Sequence, residues 1–121
     1  MNWRDLHVWK KAHALTVEVY RLSKKFPHEE KFGLISQIQR AASSIPINIV
    51  EGHSRKTSKE FLQFLNIARG SLEELRYLFI LCHDIGYINS ADKDGLEELA
   101  CEISRMLDAL IKTLQRGRKS R

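Results

Sequence analysis

Five histidines (His7, His13, His28, His53, His83), two cysteines (Cys82, Cys101) and the carboxylate pair Glu73-Glu74 are the residues of this chain best suited to chemistry. No histidine belongs to an HExxH or Cys/His zinc pattern. Cys82 and His83 are adjacent, and neighbours on a helix point about 100° apart, too far to share a metal or act as a dyad. Glu73 has Arg69 and Arg76 within one helical turn, so an ion pair accounts for it without acid–base chemistry. The "RGRK" run near the C-terminus lacks the strand before it and the helix after it that a phosphate loop requires. Nowhere do a nucleophile, a base and an oxyanion donor come together, so the expectation is a protein that is not an enzyme, with no metal and no cofactor.

Charge remains. Among 121 residues the net charge is +5, and it is uneven. Residues 1–69 hold twelve Lys/Arg against six Asp/Glu, residues 70–115 hold four against nine, and the last six residues, "RGRKSR", add four more cations. Arg55, Lys56 and Lys59 cluster beside a turn that would expose them. Arg40 and the Lys24-Lys25 pair extend the same or a neighbouring surface. These six are the candidate nucleic-acid contacts. The competing reading is a solvated surface with local ion pairs such as Glu51 with Arg55. No aromatic residue interleaves with the "HSRKTSKE" stretch, so binding there would read backbone charge or shape rather than base sequence. The terminal run reads either as a solvated end or as an arm that touches phosphates.

The elements that must position these residues are helices. Val8, Ala12, Leu15, Val19, Leu22 and Phe26 step by four and three, with Asp5 as N-cap, and Phe26-Pro27 ends the run. Ile35, Ile38, Ala42, Ile45 and Ile49 repeat the step from about Glu30 to a C-terminal Gly52. Thr57 and Glu60 form a capping box before Phe61, Leu65, Ala68, Leu72, Leu75, Phe79 and Cys82, a helix expected to reach Gly86. Asn89 or Ser90 caps a fourth helix, carrying Leu96, Leu99, Ile103, Met106 and Leu110 beside Ala100, Leu107, Ile111 and Leu114, and ending near Gly117. With no period-two run in competition, the fold class is all-α: an elongated, antiparallel up-and-down four-helix bundle over residues 1–116, followed by a flexible basic tail over 117–121. Extra apolar rows (Trp9 and Tyr20; Leu62, Ile67, Leu78, Leu81 and Ile85) either widen the internal core or are buried against another subunit.

The two cysteines lie on apolar helical stripes, as reduced core thiols do. The longest apolar run, "YLFILC", is far shorter than the ~20 residues of a bilayer span, and "MNWRDLHVWKK" lacks the apolar centre of a signal peptide. The expectation is a cytoplasmic protein with no membrane contact.

One stretch resists this reading. "RAASSIPINIVEG" has helical spacing around Pro46, which lacks an N–H and whose ring collides with the Ala42 carbonyl. The helix must kink or open there, at a cost of about 3 kcal/mol in an isolated helix. Ala41, Ala42, Ser43 and Ser44 are small, as are Ala68, Gly70 and Ser71 in "ARGS", so the two patches are expected to face each other. Asn48 and the serine hydroxyls would serve the freed backbone groups. On this expectation Gly70→Leu disrupts packing more than Leu62→Ala.

These residues carry a resemblance. Gly33-Leu34, Gln37, Arg40-Ala41, Ser44-Ile45-Pro46, Asn48-Ile49 and Glu51-Gly52, with "LHVWKKAH", "FLQFLNIARGSLEELRYL" and "GYI", make the chain similar over nearly its whole length to the four-helix-bundle family of 23S rRNA intervening-sequence proteins. Val50 stands where that family more often has alanine. The resemblance implies an up-and-down bundle that closes into a homopentameric barrel with a basic outer surface and no known catalytic activity. It also implies partners: some relatives are encoded within inserts in ribosomal RNA genes, and others bind nucleic acid and a reverse transcriptase in diversity-generating retroelements. Ser44, Pro46, Asn48, Glu51, Gly52 and Gly70 form the structural motif, and the bend set by Pro46 is expected to shape how subunits fit. Two functions follow: a module binding RNA or DNA through backbone charge, or a protein–protein assembly adaptor whose positive charge only steers or solubilises.

Overall fold

The computed structural model describes residues 2–119. A 3-10 turn at Trp3–Asp5 leads into α1 (His7–Ser23), a second 3-10 turn at His28–Glu30 into α2 (Leu34–His53), and α3 (Ser58–Asp84) and α4 (Ser90–Lys119) follow. Local chemistry explains most of the ends. Thr57 Oγ1 accepts from the Glu60 N–H at 3.2 Å and also contacts the Glu60 carboxylate, so the expected cap of α3 forms. Asn89 rather than Ser90 caps α4, its Oδ1 accepting from the Asp92 N–H at 2.7 Å. Gly86 sits just beyond α3 with φ of 86°, the left-handed conformation glycine adopts most readily. From there Tyr87 N–H reaches the Cys82 carbonyl at 2.8 Å and Gly86 N–H the His83 carbonyl at 3.0 Å, the paired bonds of a Schellman stop.

Three boundaries differ from expectation. Asp5 is not the N-cap of α1; it belongs to the 3-10 turn, and Leu6 precedes the helix without a side-chain cap. Glu30 lies before α2, where its carboxylate accepts from the Leu34 N–H at 3.3 Å and from the Tyr87 hydroxyl at 2.8 Å. That bond, reinforced by burial, holds the Tyr87 phenol above its ordinary pKa. Nor does α4 stop near Gly117; it continues to Lys119, so the expected tail begins as helix, and Ser120 and Arg121 lie outside the described residues.

Each helix packs on its chain neighbours and α4 closes back on α1, while the diagonal pairs stay apart. Cross-links show every neighbouring pair to be antiparallel: Thr16 meets Ala42 and Ser23 meets Gln39, Ser44 meets Ser71 below Gly52 against Phe61, and Arg69 and Arg76 meet Asp108 and Glu97. The expected seams form the core, with Leu15, Ile45, Leu65, Leu72, Phe79, Ile103 and Leu107 fully buried. Leu62 and Leu78 are buried as well, so these two extra rows widen the internal core; Ile67, Ile85 and Tyr20 stay exposed. On α4 the innermost line is Leu96, Ala100, Ile103, Leu107 and Ile111, with Leu99, Met106, Leu110 and Leu114 flanking it.

Helix α2 runs unbroken across a buried Pro46. The proline removes the N–H that the Ala42 carbonyl would accept, and Ala42 is wholly buried. A donor from another helix stands within reach: the single Thr16 hydroxyl proton on α1 is shared between that carbonyl, 3.1 Å away, and its own Ala12 carbonyl, 2.9 Å away. Asn48, expected to serve the freed group, instead donates to the Ser44 carbonyl at 2.7 Å and the Ser44 hydroxyl at 3.0 Å. The Ser44 hydroxyl also meets Ser71 Oγ on α3 at 2.8 Å, either hydroxyl donating. So Ser44 and Ser71 do meet, as expected of the small patches.

The glycines reverse the expectation. Gly70 is exposed, and a Cβ there would touch nothing within 4 Å. Gly52 is not the end of α2 but a buried position inside it, where a Cβ would lie 2.8 Å from both Phe61 Cδ1 and Phe64 Cβ. The Phe61 ring can swing away; Phe64 Cβ is tied to the α3 backbone and cannot. The α2–α3 crossing is therefore closest at Gly52, and within a subunit Leu62→Ala, not Gly70→Leu, is the damaging change.

Two stability experiments test this packing. Gly52→Ala is expected to lower unfolding free energy by about 1–3 kcal/mol through overpacking, whereas Gly70→Ala changes it by no more than about 1 kcal/mol, in the stabilising direction; urea unfolding of both decides. Thr16→Val should cost about 1–3 kcal/mol by orphaning the Ala42 carbonyl, and much less in a Pro46→Ala background, where residue 46 supplies an N–H. Equal penalties in the two backgrounds of that double-mutant cycle would show that the hydroxyl does not serve the carbonyl.

A candidate nucleic-acid interface

The uneven charge of the sequence resolves into pairing across the bundle. Acids of α4 face cations of its two neighbours: Glu97 accepts from Arg76 at 2.6 Å, Asp108 from Arg69 at 3.2 Å, and Glu102 lies 3.3 Å from Lys11 on α1. Glu73 pairs with Arg76 at 3.0 Å, as anticipated, and Glu18 with Arg21. The hydrogen bonds that Arg76 donates to Glu97 hold the guanidinium above its already high pKa. These carboxylates are thereby occupied on the α3–α4 and α1–α4 sides.

The six candidate cations lie elsewhere. Lys24, Lys25, Arg40, Arg55, Lys56 and Lys59 are all exposed, and among the described residues none has a carboxylate partner. The Glu51–Arg55 pair does not form; the Arg55 guanidinium sits 4.7 Å over the Phe64 ring instead. The fold does not collect the six on one surface. Lys24 and Lys25 close α1 toward one end of the bundle, and Arg40 lies at a similar level on α2, next in sequence to Gln39, which donates to Ser23 at 2.9 Å. Arg55, Lys56 and Lys59 lie toward the opposite end, the rise from Arg40 to Arg55 being about 22 Å. Arg4, just ahead of α1, shares that second end and was not singled out by the sequence; its side chain lies over Trp3 at 4.2 Å.

Aromatic rings occur near these cations after all. Phe61 and Phe64 fall just past the "HSRKTSKE" stretch, on the first turns of α3; Phe64 stacks under Arg55 and Phe61 lies 5.8 Å from His53, edge to face. Between the two cationic ends, α1 and α2 enclose an open groove of about 430 Å3, lined by Trp3, Trp9, His13, Pro46, Ile47 and Glu51. The motif residues thus divide: Pro46 and Glu51 line the groove, Ser44 and Asn48 tie α2 to α3, Gly52 sets the helix approach and Gly70 faces outward.

The other reactive side chains are accounted for locally. Burial pushes the Cys82 thiol up to about 11, which leaves it protonated and inert at neutral pH. Cys101 contacts Glu97 at 3.5 Å and Arg76 at 3.7 Å. His83 sits between Asp84 at 3.2 Å and the Ser90 hydroxyl at 3.0 Å, a contact the sequence did not suggest; both partners are open to water, and the contact fastens the α3 end to the α4 start. Among the described residues no group of three or more His, Cys, Asp or Glu side chains is placed to hold a metal ion, and no helix is long and apolar enough to cross a membrane.

Sequential antiparallel helices closed by α1 against α4 define an all-α up-and-down four-helix bundle protein. The chain belongs to the 23S rRNA-intervening sequence protein family, whose model matches residues 4–109. It is similar to the crystal structure of a protein of unknown function from the S23 ribosomal protein family of Bacteroides thetaiotaomicron, with 29% identity and a TM-score of 0.80 over 87% of this chain and 95% of that one. No curated protein matches the chain.

If the cations are sorted in this way, their removal has distinct consequences. Lys56→Ala and Lys59→Ala should each leave thermal stability within about 0.5 kcal/mol. Glu97→Gln, which breaks a partly exposed pair, should cost about 0.5–1 kcal/mol after solvent screening. Calorimetry on the three variants checks the ranking.

Proposed function

We propose that this protein is a non-enzymatic assembly module that binds RNA or DNA through backbone charge and works as a homopentamer. One observation carries the reading: carboxylates neutralise cations along the α4 seams, while the six exposed cations named above keep no acidic partner among the described residues. Cations without carboxylate partners are the groups that can release counterions from phosphates. A +5 chain repeated five times concentrates that charge, so weak contacts per subunit add. The exposed apolar side chains Ile67 and Tyr77 of α3 support assembly, with Gly70 opening a notch between them where another backbone can come close. In this role the motif glycine shapes how subunits fit and leaves the fold of each subunit alone.

The alternative is a protein–protein adaptor, with a reverse transcriptase as one class of partner for relatives and the positive charge serving only to steer. The same exposed α3 side chains, Ile67 and Tyr77, would then receive the partner.

Two measurements separate these. Filter binding across a salt series should show log affinity falling linearly with log salt, and Lys56→Ala with Lys59→Ala together should reduce the slope by about 2; affinity indifferent to salt would remove the phosphate mechanism. Light scattering with and without RNA should report about five chain masses, and Gly70→Leu should lower the mass while retaining helical content. A protein that stays monomeric at every concentration would overturn the assembly reading.

A further inference from the structure

We infer that the α1–α2 groove is a stacking site for the bases of single-stranded nucleic acid, and that the two cationic ends of the bundle hold the phosphates on either side of it. This rests on the nucleic-acid reading above and adds to it the class of ligand and the place where it lies.

The groove combines what a single strand requires and a duplex cannot use. Its walls are rings: Trp3 meets Trp9 edge to face at 4.9 Å, and Trp9 stacks nearly parallel on His13, with 7° between planes and centroids 5.3 Å apart. His13 is exposed, so the stack remains open at its outer end to one more flat ring. Pro46 and Ile47 form an apolar floor, and Ile47 keeps 51% of its surface in water. A volume of about 430 Å3 accommodates a planar heterocycle without rearrangement.

Charge matches a strand that threads this groove. Arg40 lies one turn from Ser43 on the α2 stripe that continues through Ile47, and Lys24 stands at a similar level on α1, next to the Ser23 that Gln39 reaches. At the other end Arg4 covers Trp3 and leaves its charge exposed. Glu51 is the one acid on the lining, at the Arg4 end. Bases in a duplex are stacked on each other and present only their edges, so they cannot enter; splayed bases of a single strand present the faces that aromatic walls bind. This also changes what the cations alone implied, since charge without rings would treat duplex and single strand alike.

The chain has two tryptophans, Trp3 and Trp9, and both line the groove, so intrinsic tryptophan emission reports its occupancy. The probe is an adenine-rich single-stranded RNA oligonucleotide, compared with a duplex of equal length, each followed by anisotropy and by tryptophan emission. The single strand should quench emission in step with binding, and the duplex should bind without quenching. Trp3→Ala and His13→Ala, with circular dichroism confirming the fold, should each weaken single-strand binding by about tenfold, the effect of losing one stacked base, and leave duplex binding within about twofold. Single-strand binding with unchanged emission, or equal losses for both probes, would overturn the stacking site and leave the phosphate reading standing. Failure of both probes to bind at low salt would overturn both. Emission that shifts with protein concentration alone, and is then insensitive to RNA, would mean that a second copy seals the groove, which also overturns the inference.

Discussion

Pro46 removes one backbone donor from the middle of α2, and the carbonyl that loses its partner, that of Ala42, is completely buried. A buried carbonyl without a donor costs about 1–3 kcal/mol, a substantial part of the stability of a domain this size. The Thr16 hydroxyl on α1, 3.1 Å away, is the donor within reach, its one proton shared with the Ala12 carbonyl. This contact sets the register of α1 against α2. The Asn48–Ser44–Ser71 chain sets α2 against α3, and Gly52 allows these two helices to close at that end. The proline-containing stretch thus acts as the hub through which three of the four helices are aligned.

The alignment has consequences for the surface. With α1 and α3 in register on either side of α4, the acids of α4 fall opposite Lys11, Arg69 and Arg76. Were the register shifted by one turn, those carboxylates would meet different partners and the exposed cations would change with them. The α1–α2 groove depends on the same contact. Pro46 forms its floor, and Trp9, His13 and Thr16 line it from α1. A structural motif and a candidate binding surface share one residue because the side of Pro46 that lacks a hydrogen bond faces α1.

At the other end of α2 a second constraint operates. The Glu30 carboxylate both receives the first N–H of α2 and accepts the Tyr87 hydroxyl, while Tyr87 packs on Phe26 with ring centroids 5.2 Å apart. A Cβ at Gly33 would come 2.9 Å from that carboxylate. The "GYI" stretch thereby has a physical role: Gly86 turns the chain, Tyr87 links two loops and Ile88 is buried beneath them.

The number of helices, their inward seams and the family were all legible from the residues, because a 3.6-residue repeat and a cap are local features that need no knowledge of the neighbouring element. The seam from Phe61 to Cys82, the Thr57 cap and the meeting of Ser44 with Ser71 are of this kind or lie one step beyond it. Which of two glycines marks a close approach was not legible. Gly70 and Gly52 look alike in sequence, and only the packing of α3 on α2 puts Phe61 and Phe64 against one of them. Thr16 could not be foreseen as the donor for Ala42, 26 positions away, since nothing in a helical repeat states which turn of one helix lies beside which turn of another. The same applies to the cations: charge alone leaves the six on one surface or on neighbouring ones, and tertiary structure divides them between two ends. Periodicity specifies which side of a helix turns inward, whereas register and end-to-end placement are decided by how side chains interlock after the helices meet.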